Sequence, residues 1–176
     1  MRTTRKILAG LIVSLGISAT ALTAATSSTP RSIENQVRHE ILSVPYLNVF
    51  DNLYYSVDNG VVTLTGQVTR PIDKDYVENA VRRVEGVTSI NNQIEVLPLS
   101  PYDDRIRFAA LNTLARTTPL SRYFLGVNPS IRIVVKNGDI TLDGVVLNAL
   151  DRQVAFMAAN SVPGVFNVIN NLRTER

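Results

Sequence analysis

Apolar positions along the chain switch between two periods in a fixed order. Ile33, Val37 and Ile41 recur every fourth residue and so share one stripe of a helix, with Ser32 placed to cap its start and Pro45 to bar its continuation. Two short alternating runs follow, joined by Asn59-Gly60, a dipeptide that tolerates positive φ at both central positions of a type I′ turn. A two-residue loop fixes the register: Val57 faces Val62 and Tyr55 faces Leu64, so these four share one face, while Ser56, Thr63 and Thr65 take the other. The helical period then returns from Pro71, presenting Val77, Ala80, Val81 and Val84. Asp73, Asp75 and Glu78 near its start and Arg82 and Arg83 in its last turn suit the helix dipole, and Gly86 stands where a left-handed cap belongs. A last strand is expected over 87–96.

The whole succession occurs a second time. Asp103 or Asp104 opens a helix carrying Ile106, Ala110, Leu111 and Leu114 that ends before Pro119. Asn137-Gly138 joins strands in which Val135 faces Ile140 and Ile133 faces Leu142; Arg132, Thr141 and Asp143 lie on the opposite face, and Lys136 sits across from Asp139. Val154, Ala158 and Val162 line the next helix before Pro163-Gly164, and the last strand is expected over 165–172. The stretch Val57-Asp58-Asn59-Gly60-Val61-Val62-Thr63-Leu64-Thr65-Gly66 matches Val135-Lys136-Asn137-Gly138-Asp139-Ile140-Thr141-Leu142-Asp143-Gly144 at an offset of 78. Without insertion, the same offset carries Val84-Glu85-Gly86-Val87 onto Val162-Pro163-Gly164-Val165, and Asn92-Gln93-Ile94 onto Asn170-Asn171-Leu172.

The fold class is therefore α+β: two tandem α-β-β-α-β modules, each a small three-stranded mixed sheet with two helices packed on one face. The modules span 32–97 and 102–176, joined by a linker at 98–101 that Pro98, Ser100 and Pro101 punctuate, with a flexible lead-in at 26–31. Asn92 and Asn170 share strand parity with the apolar residues after them. Each aims an amide toward a core, where it must find hydrogen-bond partners, and both are assigned a structural role.

Composition removes most chemistry. The 176 residues include no cysteine and one histidine, which excludes disulfides, thiolate zinc sites, cysteine nucleophiles and paired-histidine metal sites. Arg2, Arg5 and Lys6 precede an apolar run at 7–22 and small residues up to Ala25, the arrangement of a secretory signal peptide over 1–25. Gly10, Ser14, Gly16 and Ser18 interrupt that run, which is short for a membrane span. Without these residues the basic and acidic side chains are equal in number, so the sequence pI of 9.4 belongs largely to the leader and gives no whole-protein attraction to nucleic acid. His39 lies between Arg38 and Glu40, off the apolar stripe, on a solvated helix face. Asp73 with Asp75, and Asp103 with Asp104, stand at helix starts. Ser121 has neither an elbow motif nor a histidine near it, and no glycine-rich phosphate loop follows a strand. No catalytic residue, metal site or cofactor is expected.

The valine, Asn-Gly and Val-Thr-Leu-Thr-Gly of the hairpin, the helix ending Val-Glu-Gly-Val and the last strand with Asn-Asn-Gln-Ile together resemble the BON domain family, in both copies. Gly60, Gly66 and Gly86, with Gly138, Gly144 and Gly164, carry most of the resemblance. It implies a non-enzymatic periplasmic or envelope protein associated with phospholipid or with envelope-stress maintenance. The lipobox cysteine that tethers lipoprotein members is missing, so a constitutive anchor is not implied.

The copies differ in charge: six basic and nine acidic residues lie between 31 and 97, but nine and six between 102 and 176. Arg105, Arg107, Arg116 and Arg122 gather on or after the first helix of copy two, directly before Tyr123-Phe124-Leu125. Arginines beside aromatic and aliphatic side chains suit an anionic headgroup interface; alternatively, these apolar residues fill a core between the modules. Tyr46-Leu47-Asn48-Val49-Phe50 is the arginine-free counterpart in copy one and reads as a partner-packing or core segment, although its alternation also allows a strand. Two functional classes follow: peripheral binding to anionic phospholipid membranes in the periplasm, or a protein-interaction adaptor for another envelope component.

Overall fold

A computed structural model describes residues 30–175. The signal peptide expected over 1–25 lies outside them, as does most of the lead-in. Module one contains α1 (Pro30–Ser43), β1 (Asn52–Asp58), β2 (Val61–Val68), α2 (Pro71–Arg82), β3 (Ser89–Asn92) and β4 (Glu95–Val96). Module two contains α3 (Pro101–Arg116), a 3₁₀ turn (Leu120–Phe124), β5 (Ile131–Lys136), β6 (Asp139–Val146), α4 (Ala149–Asn160) and β7 (Asn167–Thr174). No described helix is long and apolar enough to cross a membrane.

Both hairpins have the expected register, with Val57 against Val62, Tyr55 against Leu64, Val135 against Ile140 and Ile133 against Leu142. Asn59 and Asn137 take φ of 49° and 56°, followed by Gly60 and Gly138 at 83° and 84°, as a type I′ turn requires. The central strands β2 and β6 pair antiparallel with the first strand of their module and parallel with the last, and the helix between them makes the crossover. Both helices of each module pack on the same sheet face, against the inward residues of the hairpin.

Several local expectations change. Ser32 lies within α1 rather than capping it. Ser100, not Asp103 or Asp104, caps α3, its side chain accepting from the Asp103 N–H at 3.1 Å, while Pro101 takes the first helical position, where no intrahelical donor is missed. Helix α2 stops at Arg82 with Arg83 as its cap, which moves Gly86 into the turn that follows. The strand expected over 87–96 is interrupted between Asn92 and Glu95. Its counterpart is continuous but shifted, running from Asn167 to Thr174.

The larger departure concerns the space between modules. Val49 and Phe50 belong to the core of module two, beside Ile106, Leu120 and Ile133, not to that of their own module. The Ile133 N–H donates to the Val49 carbonyl at 2.9 Å, one bond to the outer edge of β5 without a further strand. Module one also covers the sheet face expected to be solvated: Val134 and Asp143 are buried there, and the Tyr54 hydroxyl donates to Asp143. Lys136 passes over Asp139, its partner in register, and pairs with Glu95 of module one at 2.6 Å.

Candidate functional site

Helix α3 is positioned by its own inward residues. Ile106, Ala110 and Leu114 are buried on the sheet, and the Asp103 carboxylate accepts the backbone N–H groups of Asn137 (3.0 Å) and Gly138 (2.8 Å), tying the start of the helix to the β5–β6 turn. At 100° per residue, Arg105, Asn112 and Arg116 return to nearly one direction, over a rise of about 16 Å from first to last. All three are exposed, as is Phe108 between them, at 59%. After the helix, exposed Arg122 of the 3₁₀ turn donates through Nε to the Pro119 carbonyl at 3.0 Å, and the loop that follows leaves Leu125 73% and Val127 87% exposed.

The expected lipid-facing residues are not all brought together there. Arg107 is 4% exposed: its Nη2 donates to the Val135 carbonyl at 2.7 Å, its Nη1 pairs with Asp104, and its Nε is buried with no partner. Tyr123 is buried, its hydroxyl donating to Asp151 and accepting the Leu147 N–H at 2.9 Å. Both leave the candidate surface because their side chains are buried and held inside module two. Phe124 is half-buried against the same core. The apolar part of the surface is therefore Phe108, Leu125 and Val127. Phe108 was missed by sequence, although its place between Arg105 and Arg116 on one helical stripe is a readable signal.

Charge is distributed unevenly between the surface and interior of module two. Of its carboxylates Asp103, Asp143 and Asp151 are buried and hydrogen-bonded, and Asp104 is paired with Arg107. Arg105, Arg116 and Arg122 form no ion pair among the described residues. Arg105 lies over the Tyr102 ring at 5.7 Å, and Tyr102 stacks on Phe166, which is 74% exposed.

The structural residues sit where pairing demands them. The Asn92 amide donates to Glu78 Oε2 (2.9 Å) and accepts the Ile94 N–H (3.1 Å); Asn170 donates to the Arg152 carbonyl (3.0 Å) and accepts the Leu172 N–H (3.2 Å). Each fastens the last strand to the crossover helix of its module. Gly66 and Gly144 take φ of 112° and 129°, and a Cβ there would lie 2.1 and 1.9 Å from a backbone carbonyl oxygen of the preceding strand segment. Gly60 lies against the Gly86 carbonyl, Gly138 lies under Phe166, and the Gly164 carbonyl accepts the Tyr102 hydroxyl. His39 and Ser121 are exposed; Asp73 is buried in a two-pronged pair with Arg70, and Asp75 is exposed. Among the described residues no three His, Cys, Asp or Glu side chains come together to hold a metal.

A comparison with curated protein sequences gave no match. Among solved structures, the chain is similar to the C-terminal domain of CdsD, a structural protein of the type III secretion system of Chlamydia trachomatis. Identity is 14%, covering 81% of this chain and 96% of that one, with a TM-score of 0.33. A second CdsD structure is 13% identical over 82% and 93% of the two chains, with a TM-score of 0.32. The sequence profile of the BON domain matches residues 31–98 and again 104–176. The chain belongs to the BON domain family, with two domains in tandem.

Proposed function

We propose that this protein is an exported, periplasmic, non-enzymatic BON protein that binds anionic phospholipid membranes peripherally and supports envelope integrity or osmotic-stress tolerance. BON domains are associated with membranes and the cell envelope and are generally non-enzymatic, which sets the class. One observation supports the lipid reading: Arg105, Arg116 and Arg122 form no ion pair among the described residues, and Phe108, Leu125 and Val127 are exposed on the same module, where three of the six carboxylates are buried. Each arginine near an anionic surface contributes at most about 1 kcal/mol, and the three apolar side chains add partial burial. The sum gives reversible attachment that weakens with salt, because screening shortens the reach of exposed charges.

Flotation with vesicles tests this. Residues 26–176 are expected to float with phosphatidylglycerol vesicles at low salt, to be released at high salt, and to ignore phosphatidylcholine vesicles; Arg105→Ala/Arg116→Ala/Arg122→Ala is expected to abolish flotation. Absence of flotation in every condition would overturn the lipid reading in favour of a protein-interaction adaptor.

A further inference from the structure

We propose that the cleft between the two modules is a second binding site, separate from the α3 surface, for a small anionic amphiphile: a phosphate or carboxylate head with a short apolar part. The cleft has a volume of about 420 Å³, within the range of small-molecule pockets, and a smaller cavity of about 80 Å³ adjoins it at Arg132. Module contacts form its walls: Tyr54 donates to Asp143 across it, and Arg132 Nη1 donates to the Asn48 carbonyl at 2.9 Å.

Arg132 points to the ligand class. Its side chain is half-buried, and burial pulls its pKa down, opposed by the charge of Asp51. A desolvated cation is costly unless it is paired, yet among the described residues Arg132 has no ion-pair partner. Strand register puts Asp143 directly opposite, with one carboxylate oxygen accepting from Tyr54 and no ion pair to Arg132. Asp51 is likewise occupied, accepting from Thr69 N, Thr69 Oγ1 and Asn48 N at 2.8–2.9 Å. Arg38 from α1 and Arg173 from β7 line the same cleft, so its lining holds three guanidinium groups against one carboxylate, Asp143, and is net positive. Ile41, Leu42, Leu53 and Val145 supply an apolar wall beside them. Fork-shaped donors match phosphate and carboxylate oxygens, and the apolar wall adds affinity only for a ligand with a hydrocarbon part.

Titration calorimetry on the purified protein, with short-chain lipids below their micelle concentrations, separates the possibilities. Dihexanoyl phosphatidylglycerol is expected to bind saturably and at least tenfold more tightly than either dihexanoyl phosphatidylcholine or inorganic phosphate. Arg38→Ala/Arg173→Ala removes two exposed side chains and is expected to weaken that binding at least tenfold, while Arg105→Ala/Arg116→Ala/Arg122→Ala leaves it unchanged. Failure of the parent protein to float with vesicles, together with saturable binding of the short-chain lipid, would count against the α3 surface alone. Equal affinity for all three probes, no saturable binding, or indifference to the Arg38 and Arg173 substitutions would overturn the cleft site.

Discussion

Asp73 and Asp151, 78 residues apart, occupy the same buried position in the first turn of the second helix of each module, and each is satisfied by a different partner. Arg70 forks onto Asp73 at 2.8 and 2.6 Å, whereas Tyr123 reaches Asp151 with its hydroxyl. Replacing Tyr123 by Phe removes both that donor and the acceptor of the Leu147 N–H, leaving buried polar groups without partners. The expected loss is about 2 kcal/mol in urea unfolding. Burial, and then the neighbouring Asp151, raise the Tyr123 pKa above its ordinary 10.0, and burial likewise raises Tyr54 and Tyr55. A group whose folded pKa lies above its unfolded one stabilises below the unfolded value and loses that contribution as pH rises through the folded value. Stability is therefore expected to fall above about pH 10, less steeply in Tyr123→Phe than in the parent, as unfolding curves at stepped alkaline pH would show. The sequence placed Asp73 at a helix start, where exposure is the ordinary outcome, and left Tyr123 open between a headgroup surface beside arginines and a core between the modules. Nothing local announces that Tyr123 spans 28 residues to a carboxylate.

At the scale of elements, local chemistry was legible wherever a few adjacent residues settle the geometry. Two Asn-Gly turns fixed two registers, and an amide with core-side parity marked Asn92 and Asn170 before their partners were visible. Ends were less legible: Ser100 lay within the expected linker, yet it caps α3, because Pro101 suits the first helical position and brings the start forward. Gly144 shows how tightly a hairpin is constrained. It pairs with Ile131 at φ of 129°, and an added Cβ would meet the Ser130 carbonyl oxygen at 1.9 Å. Strain and clash act together there, and Gly144→Ala is expected to cost about 3 kcal/mol or more. Gly126 also has positive φ, at 85°, but an added Cβ finds nothing within 4 Å, so Gly126→Ala is expected to cost only about 1 kcal/mol. Paired thermal melts would show whether backbone approach or φ alone governs these glycines; equal losses would refute the clash.

Across the whole molecule, the division of the core departs from the division of the sequence. Tyr46-Leu47-Asn48-Val49-Phe50 reads as a packing segment from its composition, but no periodicity says which module receives it, since that depends on how the finished sheets meet. Leu47 packs against the core of module one, while Val49 and Phe50 enter module two, where the Phe50 ring meets Phe108 edge-on at 5.5 Å. The clasps around this insertion are weaker. Glu95 and Lys136 are both well exposed, and Lys136 holds the Glu95 pKa low, so their small contribution is present above the ordinary carboxylate range and lost as pH falls below it. Phe50→Ala instead opens a cavity within the core of module two, at an expected cost of about 3 kcal/mol. Although the substitution lies in the first module, it is expected to raise hydrogen-exchange rates most in β5, β6 and β7, with β1 and β2 keeping more of their protection because Val62, Leu64 and Val68 belong to a separate core. Faster exchange confined to β1 and β2 would mean that Phe50 stabilises only the module that encodes it. Loss concentrated in the second sheet would mean that module two depends on a residue from module one to complete its core.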